Sequence, residues 1–222
     1  MRGRREQNKA QRRRAILDAT AALLRERPFE QVTVDEIASL ASVAPATVYN
    51  LVGTREQLLI GLIDRVIEDL IDTLAELATD GDDDPIAVAR AVVDLSVEAF
   101  LADSTLYRRV IAGWSGGDLY LRKRATDPAQ LQVAAMRQAQ ERGIIRPDLE
   151  PGALGQQIYV SFNGAFLLWV FGGLDDDGFR ATARHGLIAV LLAGATPKHR
   201  STFEAEMRAL SPAVLRTLPP RG

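Results

Sequence analysis

The chain has 222 residues, 47% of them hydrophobic and 25% charged. This is the balance of an ordinary soluble globular protein, long enough for one large domain or two smaller ones. The absence of cysteine excludes disulfides, thiolate nucleophiles and cysteine-based zinc sites, and His185 and His199, the only imidazoles, give a histidine-rich metal site or a His-dependent triad little to draw on. The net charge of −2 hides a segregation: residues 2–14 carry seven basic side chains against Glu6 alone, residues 1–60 are net +3, and residues 61–222 are net −5.

A basic arm ahead of an acidic remainder points to an anionic partner for the front end only. Nucleic acid and a membrane surface are the two specific readings, and a solvated, partly disordered terminus is the plain one. Asp18 and Thr20 interrupt the apolar residues after the arginines, so no signal peptide is expected. Ile16, Ala19, Thr20 and Leu23 recur at helical spacing, and that pattern stops at Arg27-Pro28. Thr33 and Glu36 have the spacing of a capping box, and Val32 with Ile37 that of a hydrophobic staple. A second helix therefore starts at Thr33, runs to Ala41 and breaks at Ser42-Val43-Ala44.

Pro45 suits the first position of a short third helix ending near Leu51. After Gly53, Thr54 caps a long fourth helix, whose apolar stripe runs from Leu58 to Leu74. Asp84-Pro85 starts the next helix, with Val88, Val92, Leu95, Val97 and Phe100. A shorter one holds Leu106, Val110 and Ile111. Another spans about Asp118 to Arg142, with Pro128 predicted to kink it. Pro151 to Phe171 is long and very apolar. The following helix begins at Asp176 or Asp177 and ends at Gly194, and the tail from Lys198 holds one more amphipathic stretch with Phe203, Met207 and Leu210. No stretch alternates with a period of two, so the expected fold class is all-α. The run Gln157–Phe171 is too short and too interrupted, by Ser161, Asn163 and Gly164, for a membrane span. It reads as a helix buried on more than one side.

The second helix, a three-residue turn and the third helix have helix–turn–helix dimensions. A short helix of this kind enters the major groove with its first residues nearest the base edges. Here those residues are Pro45, Ala46, Thr47, Tyr49 and Asn50. Ala46 permits close approach, Thr47 offers a hydroxyl and a methyl, Tyr49 has reach to phosphate, and Asn50 can read a base edge. Thr54 and Arg55 open the fourth helix, where free N–H groups and the positive dipole end favour a phosphate. Arg12 and Arg13 represent the arm, expected to follow the backbone or enter the minor groove. A generic helical hairpin has the same dimensions.

From Arg14 to Leu59 the chain resembles the DNA-binding domain of TetR-type transcriptional repressors. The resemblance is carried by Val32-Thr33-Val34-Asp35-Glu36-Ile37-Ala38-Ser39-Leu40-Ala41-Ser42-Val43-Ala44-Pro45-Ala46-Thr47-Val48-Tyr49 and by Gly53-Thr54-Arg55-Glu56-Gln57-Leu58. It implies an N-terminal three-helix head followed by a helical ligand-binding and dimerisation domain, divided as 1–57 and 58–222. It implies phosphate or base contacts at Thr33, Thr47, Tyr49 and Arg55, a dimeric four-helix bundle from the two apolar closing helices, and an effector pocket among the middle ones. The chain departs from the family pattern at Ser42, where the turn usually has Gly, and at Ala44, where a Ser or Thr usually caps the recognition helix. Leu51, Val52 and Pro28 also depart, and Arg55 replaces a Lys.

Phe100, Tyr107, Trp114, Met136, Tyr159, Phe162, Asn163 and Phe166 are the candidate ligand-lining residues, an apolar set with few polar groups. Each of them taken singly also fits core packing. Asn163 on an apolar helix needs a hydrogen-bond partner. Asp82-Asp83-Asp84 and Asp175-Asp176-Asp177 precede helices and read as caps rather than metal ligands. No cofactor or metal is expected, and no nucleophile–base–orienter set, phosphate loop or metal spacing supports an enzyme. The function expected is that of a cytoplasmic, homodimeric regulator on a palindromic DNA operator, a repressor released by a small apolar or amphipathic ligand. A DNA-binding activator or architectural protein without an effector, or an all-helical enzyme, are the alternatives. In the dimer, Leu187, Val190 and Leu191 are expected at the interface.

Overall fold

The computed structural model describes residues 2–77, 84–113 and 129–217. Ten α-helices account for nearly all of them: α1 (Arg2–Glu26), α2 (Val34–Leu40), α3 (Pro45–Leu51), α4 (Arg55–Leu77), α5 (Pro85–Leu101), α6 (Ser104–Ala112), α7 (Ala129–Glu141), α8 (Pro151–Val170), α9 (Asp176–Gly194) and α10 (Pro197–Thr217). Among the described residues the sole β-type pairing is the isolated bridge Ile145–Ala195. The all-α class read from the sequence is therefore the observed one. No described helix is long and apolar enough to cross a membrane. Two compact units divide the chain. The first comprises residues 1–66 and 103–124, the second residues 67–102 and 125–222. Helix α4 thus begins in the first unit and ends in the second.

In the first unit, α1 buries Ile16, Leu17, Ala21 and Leu24 against α2, α3 and α6. Thr20, also fully buried, donates its hydroxyl to the Ile16 carbonyl at 2.8 Å, so its polar group is satisfied within the helix. Arg25 pairs with Asp103 at 2.6 Å, and Arg109 donates to the Leu24 carbonyl at 2.8 Å. These bonds fasten α6 to the end of α1. The α2 start is as predicted: Thr33 and Glu36 form a reciprocal capping box, and Val32 and Ile37 are both buried. Thr54 and Gln57 repeat the arrangement at the start of α4, with Thr54 N donating to Gln57 Oε1 at 2.7 Å. The basic arm is helical: α1 runs from Arg2 onward, and residues 2–15 contain no proline.

In the second unit, α8 packs on α7 and α9, α5 on α7 and α9, and α10 on α9. Two glycines set the spacing. A Cβ on Gly155 would fall 2.5 Å from the Val133 backbone of α7, and one on Gly186 would fall 2.0 Å from Ser161 Oγ of α8. The Gly155 crossing exists only because that position lacks a side chain, while at Gly186 a Cβ would force the Ser161 side chain to move. Arg180 of α9 grips Glu98 of α5 with two bonds, at 2.7 and 3.0 Å, and Arg184 pairs with Asp94 at 2.7 Å. Hydrogen bonds from Arg180 hold the Glu98 carboxyl below its ordinary pKa. Asp84 and Asp175 accept hydrogen bonds from Ile86 N and Gly178 N, the capping expected of them. Asp82 and Asp83 lie outside the described residues, as do Pro128 and the expected helical stretch before it.

The helix–turn–helix turn bends through Ser42, which has φ 54°, the left-handed position where Gly is usual. Val43 N closes the turn by donating to the Ala38 carbonyl at 2.9 Å. A residue with a Cβ in this region costs roughly 1–2 kcal/mol. Ser42→Gly is therefore expected to stabilise the chain by about 0.5–1 kcal/mol once the extra flexibility of Gly in the unfolded state is deducted. Urea unfolding of the two proteins, followed by circular dichroism, checks this.

Candidate nucleic-acid interface

Val48, with no exposed surface, anchors α3 to the rest of the head. At 100° per residue, burying Val48 turns Ala46 and Asn50 to the opposite side, with Thr47 and Tyr49 on the two flanks. Ala46, Asn50 and Pro45 are exposed, Thr47 is half-buried, and Tyr49 is 54% exposed. The structure thus places Ala46, Thr47, Tyr49 and Asn50 around the side of α3 away from Val48, whereas Pro45, though exposed, lies about 60° from Val48 at the start of the helix. No side chain caps the helix at Ala44. Thr47 N instead bonds to the Ala44 carbonyl at 2.8 Å. Leu51 and Val52 are half-buried and lie toward the Val48 side of the helix.

Gly53 links α3 to α4 with φ 109°, and a Cβ there would fall 1.7 Å from Gln57 Oε1. Only glycine allows both the turn and the α4 capping box. The exposed Thr54 and the Arg55 backbone then stand at the positive end of a 23-residue helix, a location that favours a phosphate.

Three predicted contact residues lie against groups of the head itself: Thr33 in the cap that its spacing predicts, and Arg55 and Arg13 in contacts that spacing did not show. Arg55 donates from Nη2 to the Phe29 carbonyl at 2.6 Å, and its guanidinium lies 4.5 Å from the centre of the Phe29 ring. It ties α4 to the link before α2 through both a hydrogen bond and a cation–π contact. The Thr33 hydroxyl donates to Glu36 Oε2 at 2.7 Å and accepts from Glu36 N at 3.3 Å, so it is used within the cap. Arg13 lies against α4, where its Nη2 is 3.5 Å from the Cβ position of Gly61, whereas Arg12 is exposed.

The other residues that sequence reasoning missed are Arg27 and Phe29. Arg27 pairs with Glu36 at 2.6 Å, nine positions away and across a turn. No periodic signal marks a contact of that kind. Hydrogen bonds from Thr33, reinforced by Arg27, lower the Glu36 carboxyl to a pKa of about 2. A carboxyl depressed in the folded state contributes stability above its ordinary pKa near 4.5 and loses it as pH falls toward 2. The chain is therefore expected to lose stability between pH 5 and about 2, and Glu36→Gln to show a smaller loss over that interval. Urea midpoints of the two proteins at several pH values check this.

The predicted ligand-lining residues that are described fall in both units. Phe100 neighbours both Phe166 and Phe162, with ring centres 4.4 Å and 6.4 Å apart. They continue into Trp169 and Phe179, which stack at 5.1 Å. This is tight core packing. Met136 is fully buried, and Tyr159 is half-buried. Asn163 finds its partner within α8, donating to the Tyr159 carbonyl at 2.9 Å. Tyr107 belongs to the first unit, and Trp114 lies outside the described residues. Among the described residues no group of three or more His, Cys, Asp or Glu is placed to hold a metal ion.

Residues 16–62 match the family described as bacterial regulatory proteins, tetR family. No curated protein matches the chain. Solved structures do match its fold. SmeT, the repressor of the Stenotrophomonas maltophilia multidrug efflux pump SmeDEF, is 19% identical over 83% of this chain and 91% of its own, with a TM-score of 0.60. RolR, solved in complex with the ligand resorcinol, is 19% identical over 98% of this chain and all of its own, with a TM-score of 0.60. A TetR-family transcriptional regulator from Rhodococcus sp. is 20% identical over 81% of this chain and 98% of its own, with a TM-score of 0.61. The match to the tetR family thus covers the amino-terminal helices of the chain, and the solved structures share the fold of most of its length.

Proposed function

We propose that the protein is a homodimeric repressor that binds a palindromic operator and is released from it by a small apolar or amphipathic ligand. The observation that carries the DNA reading is the outward face of α3, with Ala46 and Asn50 at its centre and Thr47 and Tyr49 beside them. On this reading residues 1–57 hold the DNA and residues 58–222 hold the ligand and the second copy, in the cytoplasm where the operator is. Ala46, Thr47 and Asn50 meet base edges. Tyr49, Thr54, Arg55 and Arg12 meet phosphate, with Thr33, Pro45 and Arg13 beside them. An α-helix is about 10–12 Å across, too thick for a minor groove about 6 Å wide. The helical arm therefore follows the backbone instead of entering that groove.

Support for the dimer comes from α8. Val160, Leu168 and Phe171 are 51%, 48% and 72% exposed. With Gln157 and Gly164 they form a stripe at three- and four-residue spacing along one face, the pattern that pairs helices. Ala189 and Ala193 of α9 are exposed as well. The interface positions expected earlier on α9 are corrected: Leu187, Val190 and Leu191 are 2%, 8% and 0% exposed within one chain and belong to its own core.

Release is a shift between two arrangements of the heads. Recognition helices of a dimer read successive major grooves when they sit about 34–36 Å apart. Helix α4 runs on from the head as one continuous element, so its tilt is a lever on that separation. A ligand weakens DNA binding only by favouring the other arrangement, and coupling of about 1–3 kcal/mol lowers affinity roughly 5- to 150-fold. Phe100, Phe162 and Phe166, with Tyr107, Trp114, Met136, Tyr159 and Asn163, are the residues proposed to meet that ligand.

Two outcomes test this reading. Arg12→Ala is expected to weaken binding to every DNA sequence alike and to lower the slope of log affinity against log salt by about one. Asn50→Ala is expected to cost about 1–3 kcal/mol at particular base pairs. Competition titrations against a panel of operator variants at several salt concentrations separate the two, and a uniform loss for Asn50→Ala removes α3 from the reading role. In the second test, Leu168→Glu is expected to give monomers that keep the wild-type helix content. Light scattering with circular dichroism checks this, and a wild-type chain that is monomeric at micromolar concentration rejects the dimer.

A further inference from the structure

The second unit contains a cleft of about 530 Å³ walled by α5, α9 and α10. It lies away from the aromatic cluster described above and involves none of its residues. Leu187 and Ile188 of α9 with Ala209 and Leu210 of α10 supply the apolar surface, and Arg90, Asp94, Arg184 and Glu206 supply the polar one. The charged residues are paired across helices: Arg90 with Glu206 at 2.7 Å, and Arg184 with Asp94 at 2.7 Å. The volume falls within the range of small-molecule sites, and an apolar body with a few placed polar groups is their usual chemistry.

The Arg90 side chain separates the two ion pairs. Its Nη2 donates to Glu206, while its Nε is buried and has no acceptor. Arg184, in contrast, bonds Asp94 through its own Nε. A guanidinium presents its donors as a planar fork that suits a carboxylate in two-bond geometry. Glu206 occupies one tine of the Arg90 fork and the other is covered and unsatisfied, so a carboxylate reaches both donors only when the Arg90 side chain leaves Glu206 and turns toward the cleft, which also relieves the unpaired donor. Glu206 is on α10 and Arg90 on α5, so an anion that takes both donors also replaces a link between those helices. Leu187 and Ile188 lie on the opposite side of α9 from Gly186, Ala189 and Ala193. The cleft is therefore clear of the face proposed above for the second copy.

We infer that this cleft is a second small-molecule site, selective for amphipathic monocarboxylates, with Arg90 holding the carboxylate in competition with Glu206 and the apolar wall from Leu187, Ile188 and Leu210 holding the tail. The inference does not depend on operator release, because binding is measured on the free protein.

The test is isothermal titration of the full chain with octanoate, with octylamine and octanol as probes of the same tail. Octanoate is expected to bind at one site per chain, and the other two at least about tenfold more weakly. Arg90→Met is expected to weaken octanoate by a similar factor. Glu206→Gln is expected to tighten it severalfold, an effect that a purely structural Arg90–Glu206 pair does not produce. Ala209→Trp, a substitution at an exposed position, is expected to abolish binding by filling the cleft without disturbing the core. No octanoate binding to the wild type, equal binding of octylamine, or undiminished binding to Ala209→Trp overturns the inference.

Discussion

The rotation of α3 about its own axis is the constraint on which the DNA-binding head depends. Val48 fixes it. The seven-residue helix is too short to be stable alone, so its conformation and direction come from burying that one side chain. Every assignment of an α3 residue to base edge or phosphate follows from this rotation. A turn of 100° would send Ala46 toward the core side and bring Leu51 outward. The bends on either side hold the helix in place: Ser42 in a left-handed conformation before it, and Gly53 in one after it.

The residues proposed to meet DNA are held by the same bonds that build the head. Arg55 connects the start of α4 to the Phe29 carbonyl and ring, and Thr33 and Glu36 cap α2 while Arg27 clamps Glu36 from the preceding turn. A side chain that already has an internal partner is pre-organised, so less conformational entropy is lost when a phosphate arrives. The same sharing means that altering such a residue changes stability and binding together. Tyr49 and Asn50, whose surroundings are more open, separate the two effects better.

The second unit is governed by close approach. Gly155 and Gly186 let α7, α8 and α9 pack backbone to side chain, and the aromatic rings of α5, α8 and α9 fill the space alongside. Ion pairs from Arg180 and Arg184 to α5, and from Arg90 to α10, cross the outer edges of the packed layer. Exposed ion pairs contribute little to stability. Their geometric effect is larger, because they hold polar groups around the cleft that apolar packing leaves between α5, α9 and α10.

The sequence by itself determined the helices, their caps and the helix–turn–helix, because those signals are local: the Thr33–Glu36 and Thr54–Gln57 boxes, Pro45 and Pro85 at first helical positions, and the Asp caps all act within four residues. Strong local order in that stretch also made the family resemblance legible. The tertiary structure decided everything that depends on which way a helix faces. Leu187, Val190 and Leu191 have the apolar character of an interface, but they point into their own core, and Val160, Leu168 and Phe171 point out. Periodicity shows that a helix has an apolar stripe and says nothing of what covers it. The Arg55–Phe29 and Arg90–Glu206 contacts join positions 26 and 116 residues apart. Only the folded chain brings such distant groups together, because long-range pairing is set by packing rather than by local preference.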